Sequence, residues 1–326
     1  MLCEVDHIRG LPQGGYEVHY RQFNPDKQGE FDWFSVRARE LILAAGSLGS
    51  TEILLRSRDL FQTLPNLSSR LGERFSGDGD MLFAAAAGTS SLSDPAHGPS
   101  ITAGVDMSRP GSPHTISIQD LGLPAAFFWM LEGLAPSRKR LSTLLGAAGQ
   151  YLSDAFAWEK GGAPVRFEAD RLLPGGSSSN LLPFLGMGTD AADGKMTLDS
   201  AGRIAIDWDP DASAEMFEEM QQAMKELSVA AGGEFVPSFL YRWPARRVLT
   251  AHPLGGCSMG LNSQMGVVDH RGQVFGHPGL YVVDSAIIPG PLAVNPSATI
   301  SALAERCVWW MLHGAERPLV RPVRVP

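Results

Sequence analysis

Glu40-Leu-Ile-Leu-Ala-Ala45, followed by Gly46-Ser-Leu-Gly-Ser50 and then Thr51 to Arg58, is the stretch on which the fold turns. Its first six residues form a continuous apolar run of strand length, the pattern of a strand buried on both faces of a sheet. The glycine-bearing turn predicts a break, and 51–58 predicts a helix. Strand, glycine turn and helix in that order define an α/β class, here in the wider α+β sense because antiparallel strands surround it.

Working outward, Glu4–Ile8, Tyr16–Phe23 and Phe31–Arg37 predict three short strands, joined at Gly14-Gly15 and Asn24-Pro25-Asp26 into an antiparallel meander. On the other side, 64–80 is rich in turn formers and reads as an irregular loop. Short strands are expected at Met81–Ala87, Ile101–Met107 and Thr115–Gln119, then at Leu181–Gly188, Lys195–Leu198 and Arg203–Asp207, with an amphipathic helix over Ser213–Ala230. Between them, 121–158 predicts two helices broken near Pro136, with aromatic faces that include Phe127, Phe128, Trp129 and Trp158. The expected organisation is one domain built from both ends, 1–80 and 251–326, interrupted by a second domain over 81–250.

Composition narrows the class. Hydrophobic residues make up 44% and charged residues 19%, a globular balance. The formal charge of −8 disfavours a nucleic-acid partner. Cys3, Cys257 and Cys307 are too few and scattered for a disulfide framework, and their surroundings predict no metal site. The opening residues Met1–His7 lack a basic stretch followed by an apolar run, so a reducing, cytoplasmic compartment is expected. The apolar run Leu121–Leu131 is too short to span a bilayer.

Three segments near the C-terminal end carry chemistry. His252 sits in Thr250-Ala-His-Pro-Leu-Gly-Gly-Cys-Ser-Met-Gly260, where the proline and glycines enforce an ordered, non-helical loop. A histidine so held can serve a substrate hydroxyl as base or hydrogen-bond partner; it can equally be satisfied by backbone carbonyls. Asp284 ends the strand Leu280–Val283, the position where ligands collect in open α/β sheets. Its carboxylate also suits capping of the turn that follows. Asn295-Pro-Ser-Ala-Thr299 opens a helix, with Asn295 as N-cap and Pro296 in the first turn. The free amides there favour an anion, although an ordinary capped helix reads the same way.

Taken in order, these segments resemble the glucose–methanol–choline oxidoreductase family, closest to its cholesterol-oxidase-like branch. His252-Pro-Leu-Gly-Gly-Cys257 is similar to that branch's active-site histidine loop. Leu280–Asp284 with Val294–Arg306 resembles its flavin-facing strand and helix. Leu41–Glu52 is similar to its second flavin-domain segment, and Phe75-Ser-Gly-Asp-Gly-Asp80 to the loop leading into its substrate domain. The resemblance implies FAD as cofactor, with His252 and Asn295 at the flavin N5 binding the substrate hydroxyl. It implies cofactor contacts from Ala45, Gly46, Asp284, Ser285, Pro296 and Ser297. The apolar helices expected over 121–158 motivate an apolar alcohol substrate, sterol- or lipid-like, and peripheral membrane contact, although plain core packing reads the same way. The electron acceptor is left open.

Two departures qualify the resemblance. A complete family member begins with a βαβ unit carrying G-x-G-x-x-G, and Gly46-Ser-Leu-Gly49 has the wrong spacing for it. The chain is therefore expected to be a C-terminal fragment completed by an N-terminal polypeptide. Gly176-Ser-Ser-Ser-Asn180 stands where that branch places a glutamate base, so steroid isomerisation is not expected. Two other readings stay open. Gly256-Cys-Ser-Met-Gly260 matches the serine-hydrolase elbow with Ser258 as nucleophile, and a non-catalytic remnant fits the missing half.

Overall fold

A computed structural model describes residues 2–27, 30–90, 95, 98–122, 181–238, 240–241 and 247–314. The helices expected over 121–158 (Leu121 and Gly122 apart) and the stretch Gly176–Asn180 lie outside the described residues. In chain order the strands are β1 (Cys3–Gly10), β2 (Tyr16–Phe23), β3 (Phe31–Ala38), β4 (Leu41–Leu43), β5 (Met81–Ala87), β6 (Gly104–Asp106), β7 (Ile116–Asp120), β8 (Leu181–Gly188), β9 (Lys195–Leu198), β10 (Ile204–Asp207), β11 (Glu234–Val236) and β12 (Leu280–Val282). Among the described residues the α-helices are α1 (Gly46–Leu55), α2 (Ala214–Ala230) and α3 (Ser297–His313). Among the described residues no helix is long and apolar enough to cross a membrane.

The chain divides into two units. The first comprises Met1–Asp78, Thr189–Ala212 and Ala251–Pro326; the second comprises Gly79–Gly188 and Ser213–Thr250. Sequence alone places 81–250 in one domain, whereas the β9–β10 hairpin belongs to the first unit. The reason is backbone pairing: Phe75 and Gly194 exchange hydrogen bonds of 2.9 and 3.1 Å, and the Met196 amide donates to the Gly72 carbonyl at 2.7 Å.

In the first unit, β1, β2 and β3 form the expected meander. Gly15 makes the tight turn possible, since a Cβ there would stand 2.6 Å from the Ala38 carbonyl oxygen. Parallel pairing of β4 with β12 aligns Leu41 with Leu280 and Leu43 with Val282. Ile42 is 48% exposed, so β4 is not buried on both faces as its unbroken apolar run suggests. α1 starts at Gly46, five residues earlier than expected, and continues as a π-turn over Arg56–Leu60. The core beneath these elements is mostly aliphatic: Leu54, Leu64, Leu254, Val267, Val268, Leu280 and Ile287 are buried together.

The second unit is a five-stranded antiparallel sheet in the order β11-β5-β8-β7-β6, packed against α2. Met216, Phe217, Met220, Ala223 and Met224 recur at helical spacing and are buried against Met81, Ala84, Ile116, Ile118 and Phe184. Close packing is possible because β8 carries Gly186 and Gly188. A Cβ at either would meet a methionine sulfur at 2.4 Å.

Candidate functional site

The ends of β4 and β12 deliver two chain segments to one junction in the first unit. Asp284, buried at 7% exposure, accepts hydrogen bonds from the Gly46 amide (2.9 Å), the Ser50 hydroxyl (2.5 Å) and the Ala286 amide (2.9 Å). The Ser285 hydroxyl accepts from the Ser47 amide at 2.9 Å. α1 has no side-chain cap of its own, so residues 238 positions downstream satisfy its leading amides. That long-range capping is why the helix begins at the glycine turn. Ala45 is exposed, and its amide donates to the Ser50 hydroxyl at 3.1 Å. The Asp284 side chain thus acts as a cap for both the following turn and α1.

The same junction holds the histidine loop. Ser47 donates to the Gly255 carbonyl at 2.8 Å, and the Gly255 amide donates to the Ser285 carbonyl at 3.2 Å. Leu254 pairs in both directions with Ser76 at 3.0 and 3.1 Å, and the Gly256 amide donates to the Glu73 carbonyl. Gly255 and Gly256 both lie at left-handed φ, +82° and +97°. A Cβ on Gly255 would stand 1.9 Å from the Arg74 carbonyl oxygen, so the loop requires glycine there. His252, half-buried, lies two residues before this clamp. Cys257 follows it, fully buried beside Thr51, and burial pushes its thiol up to about 12.

Asn295 is positioned from the stretch that follows Ser76. Asp78 Oδ1 accepts from the amides of Leu292 (2.6 Å) and Ala293 (2.8 Å), just ahead of Asn295. Asp78 and Ala293 both hold left-handed φ, +56° and +58°, a conformation that costs energy outside glycine and clusters at functional sites. Asp190 fixes the segment in turn, accepting from the Ser76 hydroxyl (2.7 Å), the Gly77 amide (3.0 Å) and the Ala192 amide (3.0 Å). The stretch Ser76 to Asp78 therefore secures the loops carrying both His252 and Asn295. Asp78 and Asp190 escape sequence reading because the bonds that tie segments together reach partners over a hundred positions away; two aspartates among glycines in Phe75–Asp80 are the one local sign.

α3 begins at Ser297 with Pro296 in the cap position (φ −80°, ψ −12°), and the Ile300 amide closes the first turn on the Pro296 carbonyl at 2.8 Å. Asn295 stands one residue outside the cap position expected for it. The first turn carries no acidic residue, and Ser297 is exposed. The two helix starts thus differ: α1 already receives the Asp284 carboxylate, while α3 presents amides without a local anion. Free amides at such a helix start favour a negatively charged group.

Ser258 is buried, and its hydroxyl has no hydrogen-bond partner among the described residues. It lies in a loop whose carbonyl accepts from Val267, not between a strand and a helix. The base contact and elbow that a serine nucleophile needs are not formed there.

Residues 190–304 match the family model described as GMC oxidoreductase. The chain is similar to a cholesterol oxidase of Acinetobacter baumannii, 28% identical over 338 residues, which covers 94% of this chain and 53% of that protein. A cholesterol oxidase of Mycobacterium tuberculosis is 53% identical over 58 residues, 18% of this chain and 10% of that one. Among solved structures, pyridoxine 4-oxidase from Mesorbium loti shares the fold at a TM-score of 0.56 and 19% identity, over 96% of this chain and 58% of its own. The chain spans about half the length of the Acinetobacter relative.

Proposed function

We propose that this chain, whose residues 190–304 match the GMC oxidoreductase family model, carries the substrate-activating part of an FAD-dependent oxidoreductase acting on the CH–OH group of an apolar alcohol. The observation that carries the reading is the shared anchorage of the His252 and Asn295 loops on Ser76–Asp78. In this reading His252 accepts the hydroxyl proton through a ring nitrogen, and Asn295 orients the same hydroxyl through its amide. Bound FAD supplies the hydride acceptor at N5. Ser297 and the first-turn amides of α3 would help hold the cofactor where it accepts negative charge. Ala45, Gly46, Asp284, Ser285 and Pro296 contribute backbone to its binding surface, since the Asp284 carboxylate is engaged in capping.

The nucleotide half of FAD needs a phosphate-cradling βαβ unit, and an N-terminal polypeptide of that kind is the proposed completing partner. The apolar alcohol class, sterol- or lipid-like, rests on the aromatic segment 121–158 and on the activity for which the cholesterol oxidases are named. Peripheral contact with a membrane through 121–158 belongs to the same proposal.

The test is to reconstitute the chain with its upstream coding region and FAD, then mix it anaerobically with long-chain alcohols and sterols. Bleaching of the flavin absorbance on alcohol addition is expected. His252→Ala should slow it by about 100-fold or more while leaving the flavin bound. A protein that binds flavin but is bleached by no alcohol would overturn the reading.

A further inference from the structure

A polar cavity of about 210 Å³ lies in the first unit, lined by Arg70, Glu73, Arg74, Ser258, Gln264 and Met265. We propose that it binds a compact oxyanion of the phosphate class, held by Arg74, Arg70 and the Ser258 hydroxyl. None of these residues has a role in the proposed alcohol chemistry, and the inference does not depend on that proposal.

Three observations converge. Ser258 is 3% exposed and its hydroxyl has no partner among the described residues. A buried hydroxyl left this way has lost its hydration without replacement, a loss that a ligand oxygen would recover. Second, the positive charge in the cavity is only partly neutralised. Glu73 is paired to Arg70 at 2.9 Å, and Arg70 Nε donates to the Gln264 carbonyl at 2.8 Å. Arg74 makes no ion pair among the described residues. One guanidinium and the remaining N–H groups of the other are thus available beside an unpartnered hydroxyl.

The third observation is backbone strain. Arg74 holds φ +61°, a conformation rare for a long side chain. Backbone pairing enforces it: the Gly72 amide donates to the Gly256 carbonyl at 2.8 Å, and the Gly256 amide to the Glu73 carbonyl at 3.1 Å. A planar carboxylate needs only one guanidinium fork. Two guanidinium groups and a hydroxyl from separate segments suit an anion with oxygens in more than one plane.

The experiment is calorimetric titration of the full chain with inorganic phosphate, ADP and acetate at low ionic strength. Saturable phosphate binding is expected, at least about tenfold tighter than acetate. ADP binding tighter than phosphate identifies a nucleotide phosphoryl group as the source, and equal binding identifies the free ion. Arg74→Asn is the chosen variant because asparagine tolerates left-handed backbone; it should weaken phosphate by about tenfold. Ser258→Ala should weaken it too, and Arg109→Gln, an exposed arginine elsewhere, should not. Circular dichroism verifies that each variant is folded. No saturable phosphate binding, acetate as tight as phosphate, or equal effects of Arg74→Asn and Arg109→Gln would overturn the proposal.

Discussion

The core beneath the candidate site and the core of the sheet-and-helix unit are filled by different kinds of side chain. Under the site, Leu54, Leu254, Val267, Val268, Leu280 and Ile287 pack branched groups that hold few rotamers. In the second unit Met81, Met216, Met220 and Met224 lie against alanines and the glycines of β8. Unbranched thioethers re-pack around a change that a rigid neighbour refuses. Backbone follows the same division. Gly255 faces the Arg74 carbonyl, while Gly188 faces the sulfur of Met216. One unit fixes positions, and the other accommodates shapes.

Replacing the same residue type in both places tests that contrast most severely. Gly255→Ala combines a left-handed φ with a collision against backbone, and should destabilise the fold by about 4 kcal/mol or more in urea unfolding. A cost below about 1 kcal/mol would show that the histidine loop is not rigid. Next in size is Asp78→Ala, which strips the amides of Leu292 and Ala293 of their acceptor and should cost about 2–3 kcal/mol. Asp78→Asn keeps an acceptor oxygen and should lose less. Gly188→Ala should cost about 1–2 kcal/mol, because Met216 can swing aside. If it matches Gly255→Ala, the methionine core is as unyielding as the aliphatic one.

The smaller effects sharpen the picture of the loop itself. Burial raises the Cys257 thiol from 9.0 to about 12, so the fold favours its neutral form. The resulting stability is fully present below about pH 9.0 and is lost as pH rises toward 12. Cys257→Ala should flatten that alkaline decline in melting temperature relative to the unmodified chain. Ser258→Ala removes an unpartnered buried hydroxyl and should stabilise the ligand-free protein by about 1 kcal/mol.

Local pattern makes much of the fold legible. β2, β5, β8 and β9 follow the expected limits because turn formers bound them and apolar residues alternate or run unbroken within them. β11 has no counterpart in the sequence reading: three residues after Gly232-Gly233 carry little signal, and pairing with β5 creates the strand. The start of α1 differs from its expected position for a related reason, since its caps come from Asp284 and Ser285. In the candidate site, the glycines around His252 announce an ordered loop. Asp78 and Asp190 do not announce themselves, because their roles consist of bonds to groups far along the chain.

The bond between Ser76 and Asp190 has a further consequence. The chain leaves the first unit after Asp78 and returns at Thr189, so the excursion of Gly79–Gly188 departs and re-enters beside a single fastened pair. With both ends pinned, the entropy of closing such a loop grows only slowly with its length. The intervening residues supply β5 to β8, and a second excursion, Ser213–Thr250, supplies the α2 and β11 that complete the same unit. A protein engineer wishing to exchange that sheet would have to exchange both excursions together, with the Ser76–Asp190 fastening left in place to keep the first unit's register.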